Sequence, residues 1–200
     1  MTSLADFQAA GFPVGGELLG LDLADTLVTV TDPPTDLLAG PGRLDAWWRL
    51  QADRLPAEAS APASGPTFAL REALRSVLDA AVAGAPLPAD AAATVNRFAA
   101  GAPTSPALLG VGRLELRWHA SRPAAIALAV TATSVIELLG GSHAERLRRC
   151  ANPACSMLFV STDARRRFCT QNVCGNRVRV ARFHQRQRAA ARQPAARATD

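Results

Sequence analysis

The four cysteines of the chain stand within twenty-five positions of one another, as two pairs, Cys150/Cys155 and Cys169/Cys174. Each pair encloses four residues, and thirteen residues lie between the pairs. A close pair makes a turn that offers two sulfurs, and the intervening loop brings in a second such turn. A chain sets four thiolates around one tetrahedral ion in this way. Zinc suits such a site because it imposes no d-electron geometry and bonds thiolate at about 2.3 Å. Two disulfides or an iron–sulfur cluster are the other readings of four clustered thiols. Disulfides fit less well, because no signal peptide opens the chain and a reducing cytosol is therefore expected. A redox pair would enclose two residues rather than four.

Charge divides the chain at about the same place. Residues 1–143 hold nine arginines against fourteen acids, a balance of −5, while residues 144–200 hold thirteen arginines against Glu145, Asp163 and Asp200, a balance of +10. Four thiolates on one Zn²⁺ lower the second figure only to +8. An acidic body joined to a basic tail points to a polyanion partner for the tail, and zinc beside it favours nucleic acid over a merely solvated charge run. With 200 residues the chain can bury a sizeable core and carry a small extra module. No uninterrupted apolar run reaches a membrane span, so no membrane partner is expected and the protein reads as soluble.

The fold class read from the pattern is α+β: a mainly helical N-terminal domain with a small hairpin, residues 1–141, then a zinc-stabilised hairpin-plus-helix finger, residues 144–190, and a flexible tail, residues 191–200. Leu19, Leu23, Thr26, Leu27 and Val30 recur at helical spacing and are expected to line one side of a helix. A second helix is expected from Pro41 to Leu55, with Trp47 and Trp48 on its apolar side as core residues or as the floor of a pocket. Pro56 to Pro66 is of low complexity and reads as flexible; Thr67 is the expected cap of a helix from Phe68 to Gly84. Ala89 to Ala100 forms a shorter helix. Residues 107–121 alternate about a Gly-Val-Gly turn and read as a strand pair ending at Trp118. Pro123 opens an almost wholly apolar helix to Leu139, the expected spine of the first domain. In the tail, Met157 to Val160 is expected to pair with Arg165 to Phe168, Phe159 and Phe168 packing beside the metal. A helix from about Asn172 to Arg188 then turns Val173, Val180 and Phe183 toward that hairpin and Arg179, Arg182 and Arg186 outward.

The residues Arg146-Leu-Arg-Arg-Cys150, the run Arg165-Arg166-Arg167-Phe168-Cys169 and above all Cys174-Gly175-Asn176-Arg177 resemble the CGNR zinc finger, over about the last fifty residues. Phe168 stands where that family usually has Trp. The stretch Gly15-Gly16-Glu17-Leu18-Leu19-Gly20-Leu21-Asp22-Leu23-Ala24-Asp25-Thr26 resembles the opening signature of the ABATE domain, the usual companion of that finger, with Asp25 where the family usually has Asn. The resemblance implies a stress-induced transcription regulator whose N-terminal domain senses a ligand. Asp22, Asp25 and Thr26, with Trp47 and Trp118, are the candidate ligand-pocket residues. Arg165, Arg166, Arg167, Arg177, Arg179, Arg182, Arg186 and Arg188 are the candidate DNA contacts, while Asn176 and Arg177 are equally suited to bracing the metal knuckle.

The expected function is therefore a DNA-binding transcriptional regulator, cytoplasmic and nucleoid-associated, holding one structural zinc, with duplex DNA and a small-molecule effector as partners. Since one small finger reads few base pairs, a homodimer is the expected form. The alternative is a zinc-dependent module that grips RNA or an acidic protein. An enzyme is not expected, because the sequence carries no nucleophile triad, metalloprotease motif, phosphate loop or dinucleotide fingerprint.

Overall fold

The computed structural model describes residues 2–13, 15–170 and 174–192; the expected tail at 193–200 and the expected apolar contact of Val173 lie outside them. Helices α1 (Leu4–Ala9) and α2 (Leu19–Ala24) are followed by a two-residue pairing of β1 (Leu27–Val28) with β2 (Thr35–Asp36). Helices α3 (Arg43–Leu50), α4 (Ser64–Val82) and α5 (Ala89–Ala100) come next, then the hairpin β3 (Thr104–Gly110) and β4 (Arg113–Trp118), and helix α6 (Pro123–Gly140). The tail contributes β5 (Leu147–Arg149), β6 (Leu158–Val160) and helix α7 (Asn176–Arg192). The structure is thus α+β: among the described residues, a helical body, three two-stranded antiparallel ladders and a C-terminal cysteine cluster.

Helix α6 is the spine. Ala127, Leu128, Ala132, Val135 and Leu138 are buried along it, against Leu21 and Leu23 of α2, Leu70, Leu74, Val77 and Leu78 of α4, and Val95 of α5. It is long and apolar enough to cross a membrane, and 44 % of it is buried inside the protein. Every residue of α2 is buried, which an amphipathic surface helix would not allow. The approach of α2 to α6 depends on Gly20: a Cβ there would lie 2.4 Å from Val135 Cγ2 and 2.9 Å from the Thr131 carbonyl oxygen. The Gly20 amide instead donates to Ser134 Oγ at 3.0 Å.

The central helices lie where their periodicity places them, with two differences. Helix α4 begins at Ser64, taking Ser64, Gly65 and Pro66 out of the low-complexity run, since proline is accommodated in a first turn that needs no amide donor. Thr67 is accordingly not the cap. It lies one turn inside, buried, and donates its hydroxyl to the Ala63 carbonyl at 2.9 Å. The β3–β4 hairpin turns at Val111-Gly112, where Gly112 adopts φ +73°, a left-handed conformation that glycine takes without strain.

The tail departs from the expected pairing. Strand β6 pairs with β5, in the register Leu147↔Val160, Arg148↔Phe159 and Arg149↔Leu158, and not with Arg165 to Phe168. The first cysteine pair therefore sits in the loop of this hairpin, closed by the Cys150 amide donating to the Met157 carbonyl at 2.9 Å. The Arg165–Phe168 stretch meets the first knuckle through the Ala151 N–H, which donates to the Arg167 carbonyl at 2.8 Å.

Candidate metal centre and its attachment

The four sulfurs converge. All four lie within 4.8 Å of one another, with Cys155 Sγ 3.8 Å from Cys169 Sγ and Cys169 Sγ 3.6 Å from Cys174 Sγ. Sulfurs at the corners of a tetrahedron whose centre is about 2.3 Å from each are about 3.8 Å apart, so the spacing fits one zinc ion. A disulfide needs a separation of about 2.05 Å, and all four thiols are free.

Local backbone chemistry aims each pair. In the first knuckle Asn152 Oδ1 accepts the Ala154 amide at 3.1 Å and the Asn152 carbonyl accepts the Cys155 amide at 2.9 Å. In the second, the Thr170 carbonyl accepts the amides of both Cys174 and Gly175, a wide turn that leads straight into α7. Phe159, fully buried, packs with Cys150, Met157, Cys169 and Cys174, and Phe168 closes the same cluster. Hydrogen bonds from the Cys155 and Cys169 thiols push the Cys150 thiol well down, and that same engagement pushes the Cys155 and Cys169 thiols up. Without a cation the cluster holds protons that a metal ion must displace, so zinc uptake releases acid.

The finger is bolted to the helical body by polar ties, buried at Asp25 and Arg75 and more exposed at Arg166 and Arg149, that sequence reasoning did not single out as a set. Asp25, at the C-terminal end of α2 and 3 % exposed, accepts the Leu158 amide of β6 at 2.8 Å and pairs with Arg75 of α4 at 3.3 Å. Arg75 also donates to the Ser156 carbonyl at 3.0 Å, and the Thr29 amide donates to Ser156 Oγ at 3.1 Å. Glu17 accepts the Val160 amide at 3.2 Å and pairs with Arg166 at 2.7 Å; Arg149 reaches Asp79 at 2.7 Å. Burial raises the pKa of Asp25 well above the usual carboxylate value, with the Leu158 amide and Arg75 pulling the other way. Leu147 and Leu158 belong to the same apolar core as α4 and α6. The signal for the Asp25 tie in the sequence was Arg75, set beside the apolar stripe of α4. A charged side chain so close to a core face needs a partner.

The candidate ligand residues do not gather around one cavity. Asp22 accepts the amides of Gly16 and Glu17 and pairs with Arg54 at 2.6 Å, and burial raises its pKa. Thr26 donates to the Leu23 carbonyl at 2.6 Å, and Trp47 is core, edge-on to Trp48 with centroids 4.7 Å apart. Trp118 alone lines a cleft, of about 650 Å³, with Leu55, Ala102, Val130 and Glu137.

The candidate DNA contacts divide. Arg166 is a brace: it donates to Glu17 and to the carbonyls of Val160, Phe168 and Cys169, with its guanidinium 4.4 Å above the Phe159 ring. Arg165, Arg167, Arg177, Arg179, Arg182, Arg186 and Arg188 are exposed. Helix α7 runs over Asn176–Arg192, the expected start at Asn172 lies outside the described residues, and from 176 to 188 only Val178 is partly covered. Val180 and Phe183 are half exposed, so they do not face the hairpin as expected. At 100° per residue Arg179, Arg182 and Arg186 form one stripe, with Arg177 and Arg188 on the opposite side. Arg179 donates to Asn176 Oδ1 at 3.0 Å.

A helical body fastened to a four-cysteine zinc site, from which a naked arginine-rich helix emerges, is the architecture of a zinc-finger regulator. Two family models cover it: ABATE, described as "Putative stress-induced transcription regulator", matches residues 17–142, and the CGNR zinc finger matches residues 146–187. The chain belongs to the ABATE family and carries its companion finger, with Cys150, Cys155, Cys169 and Cys174 as the ligand set for one structural zinc. No curated protein matches the chain.

Proposed function

We propose that the protein is a DNA-binding transcriptional regulator of the cytoplasm and nucleoid, in which zinc fixes the base of α7 and α7 lies in the major groove of duplex DNA. The observation that carries this reading is the exposure of Arg179, Arg182 and Arg186 as one stripe on a helix that starts at the cysteine cluster and whose described residues 176–188 are exposed apart from Val178. Arginines so placed grip phosphates, and one or two reach guanine O6 and N7. Arg165 and Arg167 extend the basic surface beside the metal, while Arg166 is spent on Glu17.

The helical body takes the effector in this reading. The cleft at Trp118 shares Ser134 and Glu137 with a neighbouring cleft of about 610 Å³ lined by Glu17, His143, Val160 and Arg166. A small molecule in that second cleft touches Glu17 and Arg166, which tie the body to the finger, and so reaches the DNA-binding part without a long path. The reading assigns no catalysis. Four thiolates close the coordination sphere and leave no position for a water nucleophile.

A second reading, an RNA-gripping module, draws on Phe183, half exposed among the arginines 5.7 Å from the His184 ring, because an aromatic interleaved with basic residues stacks on single-stranded bases. Fluorescence anisotropy with labelled duplex DNA and a single-stranded RNA competitor separates the two. Arg182→Ala is expected to keep its zinc, weaken duplex binding by about 3- to 10-fold and lower the salt slope by about one. Unchanged duplex affinity would remove this stripe from the interface, and preferential RNA binding abolished by Phe183→Ala would establish the second reading.

A further inference from the structure

The β3–β4 hairpin leaves the body with its apolar face uncovered. The cross-strand pairs Pro106↔Leu116 and Leu108↔Leu114 fall on one face, together with Thr104↔Trp118 at the base. Among the described residues only the base is covered, where Trp118 packs against the small cluster of Ala102, Ile126 and Ala129. Outward from it exposure climbs, from 54 % at Leu116 to 68 % at Leu114 and 83 % at Leu108, and Val111 at the tip is fully exposed. The reverse face carries the pairs Ser105↔Arg117 and Ala107↔Glu115, with Leu109 unpaired where the register shifts near the tip. A two-stranded ribbon is marginal alone, and this one exposes its apolar face where most hairpins bury theirs.

We propose that a second copy of this chain covers this face, hairpin upon hairpin about a two-fold axis. The side chains of one face, with Val111 at the tip, leave on the order of 600 Å² of apolar surface per copy, the upper end of the largest patch that a monomer usually carries. Two such faces together bury on the order of 1,200 Å², the lower edge of what stable interfaces bury. The strip is aliphatic from Pro106 to Leu108 and Leu114 to Leu116, with no charge to select a different partner. A uniform strip is its own complement, as an isologous interface requires. Stacked about 10 Å apart, the two ribbons form a four-stranded double layer, with Glu115 and Arg117 of each copy on its outer faces. The interface uses none of α7, so its existence is independent of what α7 binds.

The test is the molar mass of the zinc-loaded full chain by size exclusion with light scattering, without nucleic acid, from about 1 to 100 μM, a range set by the micromolar affinity such a modest interface gives. Wild-type chain is expected at twice the mass of one copy. Leu114→Glu and Leu108→Glu are expected as monomers throughout, with dimer affinity lowered about 100-fold or more, because each would bury an unpaired carboxylate. Glu115→Lys, on the outer face, is expected to remain dimeric. Because Leu108 and Leu114 are solvent-exposed in one copy, unchanged helical circular dichroism and zinc content certify that these variants fold. A wild-type monomer at about 100 μM would overturn the proposal and give the face to another partner. A dimer that survives both leucine variants, or is lost in Glu115→Lys, would overturn it as well.

Discussion

Cys169→Ser is expected to lose the zinc and, with it, stability well beyond the finger. The β5–β6 hairpin is too small to fold on its own core, and a structural zinc supplies on the order of 10 kcal/mol of apparent binding energy to such a unit. Losing half of that, about 5 kcal/mol, lowers Tm by about 10–20 °C for a chain of this size. Loss of the finger also lowers the stability of the body, because Leu147 and Leu158 sit in the same core as α4 and α6, and Asp25 and Arg75 spend their polar groups on the finger. Zinc content by atomic emission and thermal unfolding by circular dichroism measure both effects. Helices α4 to α6 should persist in the chelated protein at low temperature, with most of the ellipticity retained and an earlier melt. An unchanged Tm after loss of the metal would show that the cysteines are not a structural zinc site.

Asp25→Ala is expected to cost about 3 kcal/mol, the lower end of what breaking a buried ion pair costs. The carboxylate is the acceptor of the Leu158 amide and the buried partner of Arg75, whose side chain is 5 % exposed. Removing it orphans an amide in the core and leaves Arg75 with the half-exposed Asp79, at 3.0 Å, which is why the upper end of the range does not apply. Tm should fall by about 6–12 °C with zinc content intact. Asp25→Asn keeps an oxygen for the Leu158 amide and should cost about 1 kcal/mol. A fall of less than about 2 °C in the alanine variant would mean that Asp25 does not hold the finger to the body.

What the sequence could disclose followed the range of the interactions concerned. The metal set is local: four thiols in two short spacings, readable because tetrahedral zinc chemistry accepts few other arrangements. Helix α5 and the turn at Gly112 were equally legible, since periodicity and a glycine turn are properties of neighbours in the chain. The partner of β6 was not. Strand β5 is three residues long, Leu147-Arg148-Arg149, too short for an alternating pattern to show, and it pairs across the first cysteine loop. Nor was the work of Asp25, which joins residues 133 positions apart. A carboxylate at the end of a short helix reads as a solvent-facing flank until a distant amide is seen to need it. Arg166 misled for a related reason: in the run Arg165-Arg166-Arg167 the middle side chain folds back onto Phe159 and Glu17 while its neighbours face solvent. Composition gives such a triplet one charge and cannot apportion it.

The central claim is that zinc presents α7 to duplex DNA. Its most direct test is enrichment of a randomised duplex pool by the zinc-loaded full chain across a salt series, with chelated protein and single-stranded RNA as comparisons. The account predicts one enriched duplex motif, a steep fall of affinity with salt, and loss of both binding and enrichment on chelation. Failure of the zinc-loaded protein to bind duplex DNA at low salt, or binding undiminished by chelation, would contradict it.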